Sequence, residues 1–146
     1  MQALHDRFAR VALVVYLLLV GLVVFQSEPQ LAVGSVVHLD AWLVRLGAPE
    51  SLVNEYRVEF LLNTVLFMPL AFLGMQVWPR VRWSEWVVVA FAGSVGIEMA
   101  QALFLDARSA QFADVVSNTL GGLLGAVVGL AWRSWWGMSG ARRQVA

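Results

Sequence analysis

The sequence contains no cysteine, which excludes disulfides, thiolate chemistry and cysteine-based metal sites but says nothing about compartment. Charge is scarce as well. Only 14% of the 146 residues are charged, where a soluble domain would carry roughly 25%. The formal net charge of zero argues against a nucleic-acid partner, which would need a basic surface. Histidine is limited to His5 and His38, neither with a metal-ligand partner at useful spacing, so neither is given a catalytic role. What fills the chain instead is apolar: 60% of residues are hydrophobic and the mean hydropathy is +0.71. At this length there is room for one compact unit.

Four stretches are long enough to cross a bilayer, which takes roughly 17–25 apolar residues as helix. Val11 to Ser27 and Phe60 to Pro79 carry no charge; Trp86 to Leu105 carries only Glu98; Val115 to Trp132 is opened by Asp114. Helices are expected, because lipid offers the backbone no hydrogen-bond partner. Arg7 and Arg10 would also suit the start of a cleaved signal peptide, but Val24, Phe25 and Gln26 make a poor cleavage site, which favours an uncleaved span. The expected fold is an all-α membrane protein forming a single domain over residues 1–146, with spans at about 9–27, 58–79, 84–105 and 111–132.

Arginine placement predicts orientation. Arg7, Arg10, Arg80, Arg82, Arg133, Arg142 and Arg143 fall on one side of these spans, against Arg45, Arg57 and Arg108 on the other. The positive-inside bias puts both termini in the cytoplasm. Trp78, Trp83, Trp86, Trp132, Trp135 and Trp136 gather at the same inner interface, where amphipathic rings are favoured. The segment from Glu28 to Glu59 is then extracytoplasmic. In it Val36, Leu39, Leu43 and Leu46 recur at helical spacing while His38, Trp42 and Arg45 share another face, so a short amphipathic helix ending at Gly47 and Pro49 is expected.

Against this apolar background a few polar residues stand out. Ionisable groups at membrane depth are costly and normally face the protein interior to serve a site. Glu98 sits roughly 10 Å below the outer end of its helix at about 1.5 Å per residue, and Ser94, Glu98 and Gln101 share one face. Asp114 and Asn118 pair at the outer start of the last helix, and Glu59 and Asn63 at the outer start of the second. The three groups are expected to converge, with Arg108 in the short connection reaching back over them. Gly121, Gly125 and Gly129 recur every four residues, with Gly122 adjacent, a small-residue stripe suited to close helix packing within the chain or between copies in a homo-oligomer. Gly93 and Gly96 offer a similar surface, and Pro69 is expected to kink the second span.

Read from Asn63, the segments NTVLFMPLAFLG, Glu98-x-x-Gln101, Arg108 and ADVVSNTLGGLLG resemble the VanZ-like family of small bacterial integral membrane proteins. Its signature is an Asn ahead of Phe-x-Pro-Leu, then E-x-x-Q, a loop Arg and D-x-x-x-N-x-x-G. The resemblance covers Glu59 to Gly129, and Ala71 departs from it where members often have Gly. It implies a link to reduced susceptibility to teicoplanin-type glycopeptide antibiotics, and it implies no settled chemistry.

Three roles suit the polar cluster. In the first, Glu59, Asn63, Glu98, Gln101, Arg108, Asp114 and Asn118 bind a lipid, a lipid-linked cell-wall precursor or a lipidated antibiotic. Arg108 would then meet a phosphate or carboxylate. In the second, Glu98 and Asp114 act as acid and base of a membrane-embedded enzyme, but Ser94, Ser109 and Ser117 have no histidine partner and no nucleophile stands out. In the third, Arg108 bridges Glu98 and Asp114 and the amides only join helices. No cofactor is implied, although Glu59, Glu98 and Asp114 are of the ligand type that suits Mg²⁺ or Ca²⁺.

Overall fold

The computed structural model describes residues 2–24, 38–39, 41–47, 49, 54–104 and 111–143. Among them are four long helices: α1 (Gln2–Val24), α2 (Glu55–Val77), α3 (Trp83–Phe104) and α4 (Phe112–Arg143). Three contain segments long and apolar enough to cross a membrane, namely Tyr56–Val77, Trp83–Phe104 and Phe112–Trp135. Among the described residues there is no strand. α1, the expected first span, is not one of the three.

Local chemistry sets the ends of these helices. Asn54 caps α2, its side-chain oxygen accepting the Arg57 N–H at 3.0 Å. Pro79 closes off the other end, since it cannot continue a helix. At the start of α3, Glu85 reaches back to the Arg82 N–H at 2.8 Å, half of a capping box. α1 begins before the expected span and α4 runs on past Trp135 to Arg143. Leaving the membrane removes the demand for apolar side chains, not the helix's own hydrogen bonds.

The short amphipathic element is present in part. Residues 38–39 and 41–45 are helical, and the Gly47 N–H bonds back to the Val44 carbonyl at 2.9 Å. Gly47 has φ +94, a left-handed terminus open to glycine. Leu39 and Leu43 are half-buried and His38, Trp42 and Arg45 exposed, as the spacing predicts, but Leu46 is exposed. Val36 lies outside the described residues.

α4 packs most extensively on α2 and next on α3, while α1 leans on α2. α2 and α4 run parallel and α3 returns between them. The glycine stripe explains the closeness of α2 and α4. A Cβ on Gly121 would lie 2.2 Å from the Thr64 carbonyl oxygen, and one on Gly125 2.0 Å from that of Met68. Thr64 and Met68 are four apart, as the two glycines are, so backbone meets backbone in register. Gly129 faces the Met75 sulfur and Gly122 faces Ala90 of α3. The stripe is thus occupied within one chain. Gly93 and Gly96, by contrast, are exposed, and a Cβ added at either would meet nothing within 4 Å.

One further feature departs from expectation. Trp86 is not an interfacial ring: it is 8% exposed and lies against Gly74 in a core with Ala71, Met75 and Ala126. The missing side chain at Gly74 leaves the slot that the indole fills. The Ala71 methyl is fully buried in the same core. Pro69 lies inside α2, which stays helical through it. Its ring leaves the Val65 carbonyl without a helical donor, and the Tyr16 hydroxyl of α1 donates to the neighbouring Leu66 carbonyl.

Candidate functional site

Asn63, Ser94, Asp114 and Asn118 come together, held by three helices. Asn63 of α2 donates its amide N–H to the Asp114 carboxylate of α4 at 2.9 Å. Asn118, one turn further along α4, donates to the Ser94 hydroxyl of α3 at 2.9 Å. That hydroxyl in turn lies 3.5 Å from the Asp114 carbonyl. Ser94, Glu98, Gln101, Ser117 and Asn118 are all buried, and Asn63, Glu59 and Asp114 half-buried. Helical spacing places Ser94, Glu98 and Gln101 on the one face of α3 that turns inward.

Glu98 has a structural task that its sequence position does not reveal. One of its oxygens accepts the Gln111 N–H at 2.7 Å. Gln111 immediately precedes α4, and its carbonyl accepts the Asp114 N–H at 3.1 Å. A carboxylate on one helix therefore satisfies an N-terminal donor of the next. Asp114 occupies the first turn of α4, so both acids sit where the helix dipole favours negative charge. Glu59, Glu98, Gln101 and Asp114 each make at least one further interaction besides these.

Ser94 and Ser117 are both engaged within the bundle. Ser117 donates to the Asp114 carbonyl at 3.1 Å, and Ser94 accepts from Asn118. Among the described residues no three His, Asp or Glu side chains are grouped to hold a metal ion, and Glu59, Glu98 and Asp114 are not so grouped. Arg108 and Ser109 lie outside the described residues. One atom in the cluster lacks a partner. The Asn118 carbonyl oxygen is buried and makes no hydrogen bond, as is true elsewhere in the bundle of Gln76 Nε2 and Trp86 Nε1; most buried polar groups are paired.

Sequence reasoning misses Tyr16 and Arg133. Arg133 of α4 donates to the Met75 carbonyl and, at 3.5 Å, to that of Pro79, tying off the last turn of α2. The available signal is an arginine directly following an apolar span, which on sequence grounds serves only as an orientation marker.

An all-helical membrane protein whose helices meet around a buried polar cluster is the class that these observations define. The chain belongs to the VanZ/LLP1 family, whose family model matches residues 13–133. The match reaches beyond the signature segments into α1 and the connection that follows it. No curated protein and no solved structure matches the chain.

Proposed function

We propose that this VanZ-like protein crosses the bacterial cytoplasmic membrane four times with both termini inside, and that its polar cluster is an outward-facing recognition site. The ligand is a lipid, a lipid-linked cell-wall precursor or a lipidated antibiotic, and the cellular outcome is reduced susceptibility to teicoplanin-type glycopeptides. The fourth span is α1, whose uncharged stretch begins at Val11 and whose Leu13 is buried in the bundle. The orientation rests on seven arginines at one end against three at the other. Because the chain has no native cysteine, single cysteines report topology directly. Those at Gln2 and Ser139 are expected to resist a membrane-impermeant thiol reagent in intact cells, and one at Ser109 to react. Labelled termini would overturn the orientation and the outward-facing site together.

The observation that carries recognition is the buried, unpaired oxygen of Asn118, one turn of α4 beyond Asp114. A ligand hydroxyl or amide would complete it, with Arg108 meeting an anionic group. Asn118→Leu keeps volume and deletes that acceptor. The Ser94 hydroxyl stays within reach of the Asp114 carbonyl, so thermal stability in detergent should fall by about 1–1.5 kcal/mol at most. Protection of cells against a teicoplanin-type glycopeptide is expected to disappear. Full protection by the variant would remove the recognition reading. It would leave the alternative favoured by the Glu98–Gln111 and Asn63–Asp114 bonds, a cluster that only joins helices.

A further inference from the structure

The opposite end of the bundle holds a second polar feature that the cluster does not use. A cavity of about 580 Å³ lies between α1 and the turn that joins α2 to α3, within the roughly 300–1,000 Å³ of small-molecule sites. Its α1 wall is Arg10, Leu13 and Val14, which share one helical face by their spacing of three and four. Its other wall is the end of α2 at Val77 and the turn carrying Trp78 and Arg80.

Both walls are fixed. The turn is closed by the Val81 N–H on the Trp78 carbonyl at 3.1 Å, and Arg133 holds the Met75 and Pro79 carbonyls behind it. The Trp78 ring is braced against Trp86, with centroids 5.7 Å apart. α1 is tied to α2 by the Tyr16 hydroxyl on the Leu66 carbonyl.

The chemistry of the lining is graded. Two exposed guanidiniums stand at the end away from the apolar spans, and Leu13, Val14 and Val77 line the side toward them. Among the described residues no carboxylate lines the cavity. A headgroup amine such as that of choline would find no counter-charge there, whereas a phosphodiester would find two. Trp78, half exposed beside them, is the residue type that sits at headgroup level. Basic pockets between spans on the arginine-rich side are where anionic headgroups bind.

We propose that this cavity is a binding site for an anionic glycerophospholipid of the inner leaflet. The phosphodiester lies between Arg10 and Arg80 and an acyl chain runs along Leu13, Val14 and Val77. The choice of leaflet rests on the orientation proposed above, but the cavity shares no residue with the polar cluster, so failure to bind this lipid would leave the reading of that cluster untouched.

Native mass spectrometry of the full chain in detergent, titrated with phosphatidylglycerol and phosphatidylcholine of equal chain length, tests it. Both lipids carry the phosphodiester, but in phosphatidylcholine the choline cation, which the two guanidiniums repel, cancels its charge; at about fivefold per arginine for a net anionic lipid, preference for phosphatidylglycerol should be about 25-fold. Arg10→Gln and Arg80→Gln should each remove about fivefold, and the double variant all of it. Arg82→Gln, outside the cavity, should keep the preference. Val14→Trp serves where the arginine variants fail to fold: it changes an exposed position, leaves both charges and fills the chain groove. It is expected to lose phosphatidylglycerol binding. Equal binding of the two lipids, an unchanged preference in the double variant, or parental binding by Val14→Trp would each overturn the proposal. So would displacement of the lipid by excess inorganic phosphate, which would mark a site for a free anion.

Discussion

Gly125→Ala is expected to be among the most destabilising single substitutions in the bundle, although it adds one methyl group. The new carbon would lie 2.0 Å from the Met68 carbonyl oxygen and 2.9 Å from its carbon. Both are backbone atoms of α2, so no side chain can rotate away and the two helices must separate. Overpacking typically costs about 1–3 kcal/mol, and a backbone clash belongs at the upper end. The gain of roughly 1 kcal/mol from exchanging glycine for alanine in a helix does not offset it. Separation would also stretch the Asn63–Asp114 bond, which spans the same pair of helices at 2.9 Å, so protection of cells should fall with stability. Gly96→Ala is the control. Nothing lies within 4 Å of its added carbon, and stability should be unchanged or higher by about 0.5–1 kcal/mol. Thermal midpoints of purified protein in detergent measure both. A Gly125→Ala variant as stable as the parent, or a Gly96→Ala variant equally damaged, would contradict this account of helix packing.

The contrast between those glycines marks what the sequence can and cannot reveal. A spacing of four identifies Gly121, Gly125 and Gly129 as a packing surface, because periodicity alone puts them on one face. It cannot say which partner covers that face, and Gly93 and Gly96, with much the same local pattern, are covered by nothing among the described residues. The polar cluster is legible for a similar reason. Acids and amides in apolar helices have few places to go, so Asn63, Asp114, Asn118 and Ser94 meet as depth and helical phase predict. The cross-helix bonds are not legible. That Glu98 satisfies the Gln111 N–H depends on how the α3–α4 connection returns, and Arg133 reaching the end of α2 depends on the parallel pairing of α2 and α4. Trp86 misleads because its sequence neighbours place it at an interface, while the slot that receives it is made by Gly74, twelve residues earlier.

Those cross-helix bonds sharpen the question of the cluster's purpose. A buried ionisable group that merely holds helices is often replaceable, because desolvation offsets much of its attraction. Retaining two carboxylates at the N-terminus of α4 is economical only in part, since the helix dipole supplies about 0.3–1 kcal/mol for each. The amides satisfy Asp114 and Ser94, yet leave the Asn118 oxygen over. A purely structural cluster would gain by pairing that atom.

Glu98→Gln separates cap from charge and should have the largest effect on activity for the smallest effect on fold. The amide oxygen of glutamine can still accept the Gln111 N–H that Glu98 now holds at 2.7 Å, so the start of α4 keeps its partner. What goes is the charge, with its share of the dipole interaction and the stronger of the two kinds of hydrogen bond. Stability in detergent should fall by about 1–2 kcal/mol. Glu98→Leu goes further: it also removes the acceptor of the Gln111 N–H, adding the loss of one hydrogen bond, about 0.5–1.5 kcal/mol. The two variants should therefore differ clearly in thermal midpoint. On the recognition reading they should not differ in protection, which both lose, because a ligand meeting the cluster needs the carboxylate. On the purely structural reading protection follows stability, and Glu98→Gln shields cells nearly as well as the parent. Measuring midpoints and glycopeptide susceptibility on the same three proteins decides between them. Parental protection by Glu98→Gln would reduce the carboxylate to a helix cap.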